Sequence, residues 1–229
     1  MEGTGSTLSG LEERITELPE ELQEFALKLK GKISEMREIS TDEEGWKKAT
    51  EKSGYIVHTK KTEAGLNCVR GQGNMDFSAD KVFEFIDTDG NITKYDSSYK
   101  EGRTLEEPDL GVGLGFYYSR YKGGTMISDR DFCFIGAHVQ EEDGTHIICY
   151  SSAEHSEAPI VKKVVRGELF IGGWVIIPDK DDPQNKSYAY YITQTNPKGS
   201  IPKYFVNKFS EGQGLLPMKI NEILKKESE

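Results

Sequence analysis

The chain has 229 residues, which is enough for one large domain, and it carries a formal net charge of −10 at pH 7. That acidic balance, without an evident basic face, argues against a nucleic-acid partner. Apolar residues make up 35% and charged residues 30%, which is typical of a globular chain. No apolar run is long enough to predict a membrane span.

Cysteine and histidine usage indicates a reducing compartment and no metal centre. Cys68, Cys133 and Cys149 each lie in an apolar, strand-like stretch, and no CxxC pair occurs. An odd number of such residues predicts reduced, buried thiols. The first ten residues lack the apolar core of a signal peptide. We therefore expect a cytoplasmic protein without a cofactor, and the four scattered histidines lack metal-ligand spacing.

The N-terminal region predicts helices. Apolar residues recur every three or four positions over residues 8–36, which is helical spacing. Pro19 suits a first helical turn, so we predict a short helix and then a second one over residues 19–38. We assign 1–18 to an N-terminal extension, partly disordered and then helical, and 19–229 to the main domain. The spacing also fits a heptad seam, so this segment either packs on its own domain or forms a helix-mediated dimer.

The rest of the chain is rich in β-structure and ends in a helix. Ser78 is a suitable N-cap for one short internal helix. The final helix begins near residue 201, and the segment 212–217 predicts a kink or break because it contains Gly212, Gly214 and Pro217. Strand-like segments separated by turn residues are predicted at 55–62, 66–75, 98–106, 112–122, 131–141, 145–154, 163–178 and 187–196.

This element order predicts an α+β fold. An antiparallel sheet needs one face covered, and a long C-terminal helix laid across a curved sheet would cover it. If the side chains of the two surfaces do not meet, the gap between them is a ligand cavity.

Motifs of catalysis are missing from the sequence. It contains no GxSxG elbow, P-loop or HExxH motif. The GxGxG run at residues 111–115 precedes a predicted strand instead of a helix, so it is interpreted as a glycine-rich turn. We therefore expect a protein that is not an enzyme.

A series of short motifs is more informative. They include Tyr95-Asp96, the Arg-Asp-Phe run at residues 130–132, and Gly173-Trp174. The full series lies at residues 95–96, 127–133, 154–159, 165–168, 173–178, 191–193, 196–202 and 206–207. In order and spacing these motifs resemble the START domain family of lipid-transfer domains, from about Trp46 to the C-terminus.

The resemblance implies a helix-grip fold, in which a curved antiparallel sheet wraps around a long C-terminal helix and encloses an apolar tunnel. It implies one bound lipid as partner, a sterol, a phospholipid or another apolar lipid. It also implies transient membrane contact, with the C-terminal helix and a nearby loop acting as a lid. The implied function is transfer of a lipid between membranes, or sensing of that lipid.

The resemblance also implies where head groups are selected. Relatives that bind phosphatidylcholine or ceramide have a basic residue four positions before the acid that matches Asp96, and this chain has Ile92 there. Sterol-carrying relatives have an acid and an arginine at the positions of Tyr117 and Gly136. Both pairs are therefore absent here.

Strand parity, anchored on those positions, predicts which side chains point inward to bind the ligand. Tyrosine and serine among them favour a weakly polar head or a sterol-like hydroxyl. Arg130, Asp131 and Arg166 have an alternative role, which is to hold strands together through salt bridges. The predicted ligand-binding residues are Asp96, Tyr117, Ser119, Tyr121, Phe132, Phe134, His138, Arg166, Phe170, Trp174, Val206, Phe209 and Leu216.

Two other functions stay open at this point. One is an enzyme on the same architecture, acting on an apolar substrate through His138 and Tyr117. The other is a protein-interaction module that holds a partner helix along residues 8–36.

Overall fold

The structure is a computed structural model that describes residues 15–16, 18–63, 65–107, 113–124 and 127–229. Within these residues five helices are present. They are α1 (Glu20–Thr41), α2 (Ala79–Asp87), α3 (Ile92–Tyr95), α4 (Lys203–Gln213) and α5 (Leu216–Glu227). None of the described helices combines the length and apolar character needed to cross a bilayer.

One ten-stranded sheet forms the body of the described chain. Its order is β1-β2-β3-β10-β9-β7-β6-β5-β4, and the short β8 pairs with β6 in parallel. Every other pairing is antiparallel. The strands are β1 (Lys47–Lys52), β2 (Tyr55–Lys61), β3 (Asn67–Met75), β4 (Tyr99–Glu106), β5 (Gly115–Tyr121), β6 (Arg130–Gln140), β7 (His146–Ser152), β8 (Val165–Arg166), β9 (Glu168–Pro178) and β10 (Ser187–Asn196).

Helix α1 covers one face of the sheet. It begins directly after Pro19, whose fixed φ suits a helix start. Its apolar stripe, including Leu29, Ile33 and Met36, is fully buried against side chains from β6, β7, β9 and β10. The described part of the predicted heptad seam therefore packs on its own domain.

The C-terminal helices cover part of the opposite face. Helix α5 buries Leu216, Met218, Ile220 and Leu224 in a second apolar cluster with residues from β3, β9 and β10. Asn221 fixes the helix to the end of β3, because its side chain both accepts from the Asp76 amide and donates to the Asp76 carboxylate. These contacts anchor α5 firmly to the sheet.

Two glycines explain why the C-terminal helix is interrupted. Gly214 lies between α4 and α5, and its carbonyl oxygen would be 1.7 Å from a Cβ placed on Gly71 of β3. A Cβ on Gly214 would in turn lie 2.6 Å from Val57. The backbone of the break therefore crosses the sheet at a distance that only glycine allows.

The helix-grip fold is confirmed, with the terminal helix broken at the predicted place. Two elements were missed. Edge strand β1, with the sequence KKATEK, and short helix α3 were not predicted. The predicted strand 163–178 is divided into β8 and β9. The predicted disorder at 1–7, the helical segment 8–14 and the start of strand 112–122 lie outside the described residues.

Candidate functional site

A cavity of about 430 Å³ lies between the sheet and the helices that cover its second face. Its walls come from β5, β6, β7, β9 and β10, and it is covered by α3, α4 and the start of α5. Cavities of this size bind small organic ligands. The cavity lies between the sheet and the C-terminal helices, where the order of the elements predicted it.

The walls are mainly aromatic and aliphatic. Phe132 and Phe134 project from β6, Tyr150 from β7, and Trp174 and Tyr191 from β9 and β10. The rings interlock: Phe134 meets Tyr150 edge-on with centroids 5.2 Å apart, and Trp174 lies 4.9 Å from Tyr191. Such a surface excludes water and favours apolar ligands.

Two glycines of β9, Gly172 and Gly173, line the cavity. A Cβ on Gly173 would lie 1.9 Å from the Ile148 carbonyl oxygen of the neighbouring strand β7, and this glycine has φ +142, which favours glycine. The close approach of β9 and β7 at this point therefore requires a residue without a side chain.

A cluster of polar groups lies where α3 ends. Asp96 is 7% exposed, and its Oδ1 accepts from the Ser98 amide at 2.9 Å and the Ser98 hydroxyl at 2.6 Å. Tyr95, Tyr121 and Tyr191 line the cavity beside it. Burial raises the pKa of each phenol, and the Asp96 charge adds to the effect. The phenols are therefore protonated and able to donate hydrogen bonds.

The edge of the cavity is held by Arg130. Its guanidinium donates to the carbonyls of Ser128, Pro197 and Lys198, and burial lowers its pKa. These bonds fix the loop after β10 to the start of β6. The predicted salt bridge from Arg130 is therefore replaced by hydrogen bonds to backbone carbonyls.

Comparison with known proteins identifies the family. The sequence model of the START domain matches residues 28–221, which is most of the chain. The chain belongs to the START domain family. Mouse START domain-containing protein 10 is 25% identical over 176 residues, covering 74% of this chain and 57% of that protein. The Arabidopsis thaliana protein ENHANCED DISEASE RESISTANCE 2-like is 25% identical over 136 residues, covering 57% of this chain and 19% of that protein.

Solved structures share the START fold. Human StAR-related lipid transfer protein 5 superposes with a TM-score of 0.79 at 22% identity, covering 90% of this chain and all of that one. Human STARD10 gives a TM-score of 0.73 at 22% identity, covering 83% of this chain and 77% of that one. The chain spans less than two thirds of the length of the curated relatives named above.

Many of the residues predicted to bind a ligand line the cavity of this START domain. The set draws on α3, the strands β5, β6 and β9, and the two C-terminal helices. Whether they contact a ligand stays a prediction. The residues are Asp96, Tyr121, Phe132, Phe134, Trp174, Val206, Phe209 and Leu216.

Two predicted residues, Arg166 of β8 and Phe170 of β9, do not line the cavity. Arg166 forms a bidentate ion pair with Asp131, a carboxylate that is only 1% exposed, so it holds strands together as the alternative interpretation stated. The pairing of β9 with β10 skips Phe170, since Gln194 pairs with Ile171 and Thr195 with Leu169. This β-bulge brings Leu169 into the cavity wall instead of Phe170.

Three others lie behind or beyond the wall. Tyr117 stacks on Phe134 with ring centroids 5.8 Å apart, so it supports the wall from the next layer. Ser119 is buried against Gly102 of β4. His138 lies under α2, where its ring stacks on Phe83 at 3.8 Å. The alternation of side chains along β5 and β6 predicted that these residues lie on the cavity side of the sheet. They do not line the cavity because both strands extend beyond it.

The histidine is also engaged by another imidazole. His138 Nε2 is 2.9 Å from Nδ1 of His146. The other ring nitrogen of His146, Nε2, is 2.7 Å from Oδ1 of Asp80 on α2. Burial, and then the neighbouring His146, lower the pKa of His138 from 6.5 to about 4. His138 is therefore neutral near pH 7 and joins α2 to the sheet.

Several cavity residues were not predicted. Tyr191, Thr193 and Thr195 alternate along β10, and Gln213 ends α4. The alternation on β10 was a usable signal, because residues two apart share a face of a strand. Gln213 had no such signal. In the part of the chain that the structure describes, no cluster of His, Cys, Asp or Glu is arranged to hold a metal ion.

Proposed function

We propose that this START domain binds one lipid molecule in its cavity and transfers it between membranes or senses it. The observation that carries the proposal is the aromatic-lined cavity of about 430 Å³ beneath α4 and α5. Burial of apolar surface contributes roughly 25 cal/mol per Å², so an enclosed acyl chain or ring system would be held strongly. Relatives whose names describe lipid transfer or steroidogenic regulation support the same function.

The proposed membrane contact involves α4. Phe205 and Phe209 line the cavity, yet they are 60% and 57% exposed, and Tyr204 beside them is also exposed. Ile127, on the loop between β5 and β6, also lines the cavity and is also exposed. Aromatic side chains favour the membrane–water interface, so these residues would enter the bilayer surface while the ligand passes between them.

The site is proposed to bind and not to catalyse. The pair considered for an enzyme, Tyr117 and His138, is separated by its packing: Tyr117 lies against Phe134 and Tyr150, and His138 stacks under α2. Neither residue lines the cavity. An acid–base pair would have to reach the substrate, so this arrangement favours a carrier or sensor.

Partner helices and cellular location stay predictions. A dimer or interaction module through residues 8–36 could not use Leu29, Ile33 or Met36, which are buried in the chain's own core. It would use the outer face of α1, where Leu27 is exposed. Size-exclusion chromatography with light scattering would test it, and a monomer at all concentrations would contradict it. A cytoplasmic location is likewise proposed from the reduced, buried cysteines.

Native mass spectrometry tests the binding proposal. The purified protein is incubated with a total lipid extract and transferred into the gas phase under non-denaturing conditions. A one-to-one adduct is expected, and fragmentation of that adduct would identify the lipid class. A folded protein that takes up no lipid from any extract would contradict the proposal.

A further inference from the structure

The turn that precedes β8, residues 160–163, exposes two adjacent apolar side chains. Ile160 is 71% exposed and Val161 is 38% exposed. Lys162 and Lys163 follow them and are exposed as well. A single exposed apolar residue is ordinary on a protein surface, but an adjacent pair beside charged groups suits a contact with a partner.

Contacts on both sides of the 160–163 turn hold it in place. Just before the turn, the buried Ala158 packs against side chains from β5 and β6. The Arg166 guanidinium donates to the Ala158 carbonyl at 3.1 Å. At the other end, the Val164 amide donates to the Val161 carbonyl at 3.1 Å and closes the turn. The apolar pair is therefore presented by a backbone that is anchored at both ends.

The 160–163 turn lies beside the segments that the proposed function places at the membrane. Val165 pairs with Arg130 at the start of β6, and the Val165 amide donates to the Asp129 carbonyl. Asp129 belongs to the loop that carries Ile127, which is exposed and lines the cavity. Arg130 also donates to two carbonyls of the loop that leads into α4. The turn and these two loops therefore meet at the start of β6.

The exposed apolar side chains are concentrated in these segments. In the part of the chain that the structure describes, seven large hydrophobic side chains are exposed. Six of them lie on α4, on the loop between β5 and β6, or on the 160–163 turn, and the seventh is Leu27 on α1. Exposed apolar residues that gather in neighbouring segments mark an interaction surface, whereas scattered ones do not.

The charge of the 160–163 turn favours an anionic partner. The whole chain carries a net charge of −10, yet this turn contributes two lysines and no acid. Glu157 is the one acid in the segment 156–164, so that segment keeps a positive balance. On the adjoining loop, the Asp129 carboxylate is paired with Arg120 at 2.7 Å and with Lys100 at 2.9 Å. It therefore does not offset the charge of the turn.

We propose that the 160–163 turn is a second membrane contact, which inserts Ile160 and Val161 into an anionic bilayer and places Lys162 and Lys163 at its head groups. Apolar area and attraction to anionic lipids act together in interfacial binding. The inference rests on the membrane contact in the proposed function and adds the class of membrane. An acidic protein segment would match the lysines too, but the continuity with α4 and the loop of Ile127 favours a bilayer.

Vesicle flotation tests the class of membrane. The purified protein is incubated with vesicles of phosphatidylcholine alone, or with vesicles in which about one third of the lipid is phosphatidylserine. Both lysines should lie within the potential of the anionic surface, so we expect binding to the second kind of vesicle to be tighter by about tenfold. Equal binding to the two kinds of vesicle would overturn the proposal.

A paired charge variant tests the lysines of the turn. Lys162→Gln combined with Lys163→Gln should lose most of the preference for phosphatidylserine. The matched control is Lys47→Gln combined with Lys52→Gln, which removes the same charge from exposed positions on edge strand β1. The control should keep the wild-type preference. An undiminished preference in the variant of the turn would contradict the role of its lysines.

A paired apolar variant tests insertion. Ile160→Ser combined with Val161→Ser should weaken binding to both kinds of vesicle by about fivefold or more, because less apolar area enters the interface. Leu27→Ser, at the exposed position on α1, should bind as the wild type does. Unchanged binding by the apolar variant would overturn the second contact and leave a protein partner as the occupant of the turn.

Native mass spectrometry separates failure of this inference from failure of the proposed function. Both variants change exposed side chains outside the cavity wall, so each should still form the one-to-one lipid adduct. If the vesicle results overturn the second contact while the adduct persists, the proposed lipid binding stands. A folded wild-type protein that forms no adduct would overturn the proposed function, whatever the vesicles show.

Discussion

The two faces of the sheet are built from the same strands but packed in different ways. On the α1 face, the sheet residues Ile171, Val175 and Ile192 pack against the helix. They and the helix residues Leu29, Ile33 and Met36 are each at most 1% exposed. On the other face, Gly172, Trp174 and Thr193 surround a cavity. Branched aliphatic residues interdigitate with a helix and leave no space, whereas rigid aromatic rings and an interrupted helix leave space for a ligand. The α1 face thus provides stability, and the second face is available for binding.

The largest expected effect concerns the closely packed face. Leu29→Ala should destabilise the fold by about 2–5 kcal/mol, because it removes a fully buried side chain and leaves a cavity. Leu27→Ala is the control on the same helix, since Leu27 is 57% exposed; its effect should stay within about 0.5 kcal/mol. Urea denaturation measures both. Equal effects of the two variants would show that α1 is not packed as described.

A second prediction concerns the part of the cavity face that α2 closes. The pKa of His138 is lowered from 6.5 to about 4, so the unfolded chain binds a proton at higher pH than the folded one. Stability should therefore be unaffected above about pH 6.5 and fall as the pH drops from 6.5 towards 4, by about 1–3 kcal/mol in total.

Histidine variants check that assignment. His138→Phe keeps an aromatic ring against Phe83 and should reduce the loss of stability between pH 6.5 and 4. His155→Gln is the control variant, because His155 lies outside this group and contacts Glu106. Thermal unfolding monitored across this pH range measures the effect. The same acid sensitivity in His138→Phe as in the wild type would contradict the burial of a neutral imidazole.

The smallest expected change in stability concerns the opening of the cavity. Phe209→Ser removes an exposed aromatic ring from α4 and should alter stability by at most about 0.5 kcal/mol. It should weaken binding to liposomes, because the ring no longer enters the interface. Leu27→Ser, at an exposed site on α1, is the matched control. Liposome flotation that does not distinguish the two variants would exclude α4 as the membrane-contacting surface.

The sequence predicted the general architecture because strands and helices have distinct periods and clear turn residues. Strand parity located the inward face of β6 through Phe132 and Phe134, since the side-chain period is two. It failed at Phe170, because a β-bulge shifts the period by one residue and depends on the pairing with β10. Edge strand β1 was missed because its residues, KKATEK, show no apolar alternation.

The polar part of the site could be predicted only in part. Asp96 was predicted through the resemblance to the family. Gln213 was not, because its place on the cavity wall depends on where the helix break brings it close to Ser98, which is 115 residues away along the chain. Contacts of that kind arise from tertiary packing and have no local pattern.

Blocking the cavity from one strand would test lipid binding most directly. Thr193→Trp places an indole in the cavity from β10, and Gln194→Trp places the same group on the other face of that strand. Both proteins and the wild type are incubated with one lipid extract and analysed by native mass spectrometry. We predict a one-to-one lipid adduct for the wild type and for Gln194→Trp, and loss of the adduct for Thr193→Trp. An undiminished adduct in a folded Thr193→Trp protein would show that the lipid does not occupy this cavity.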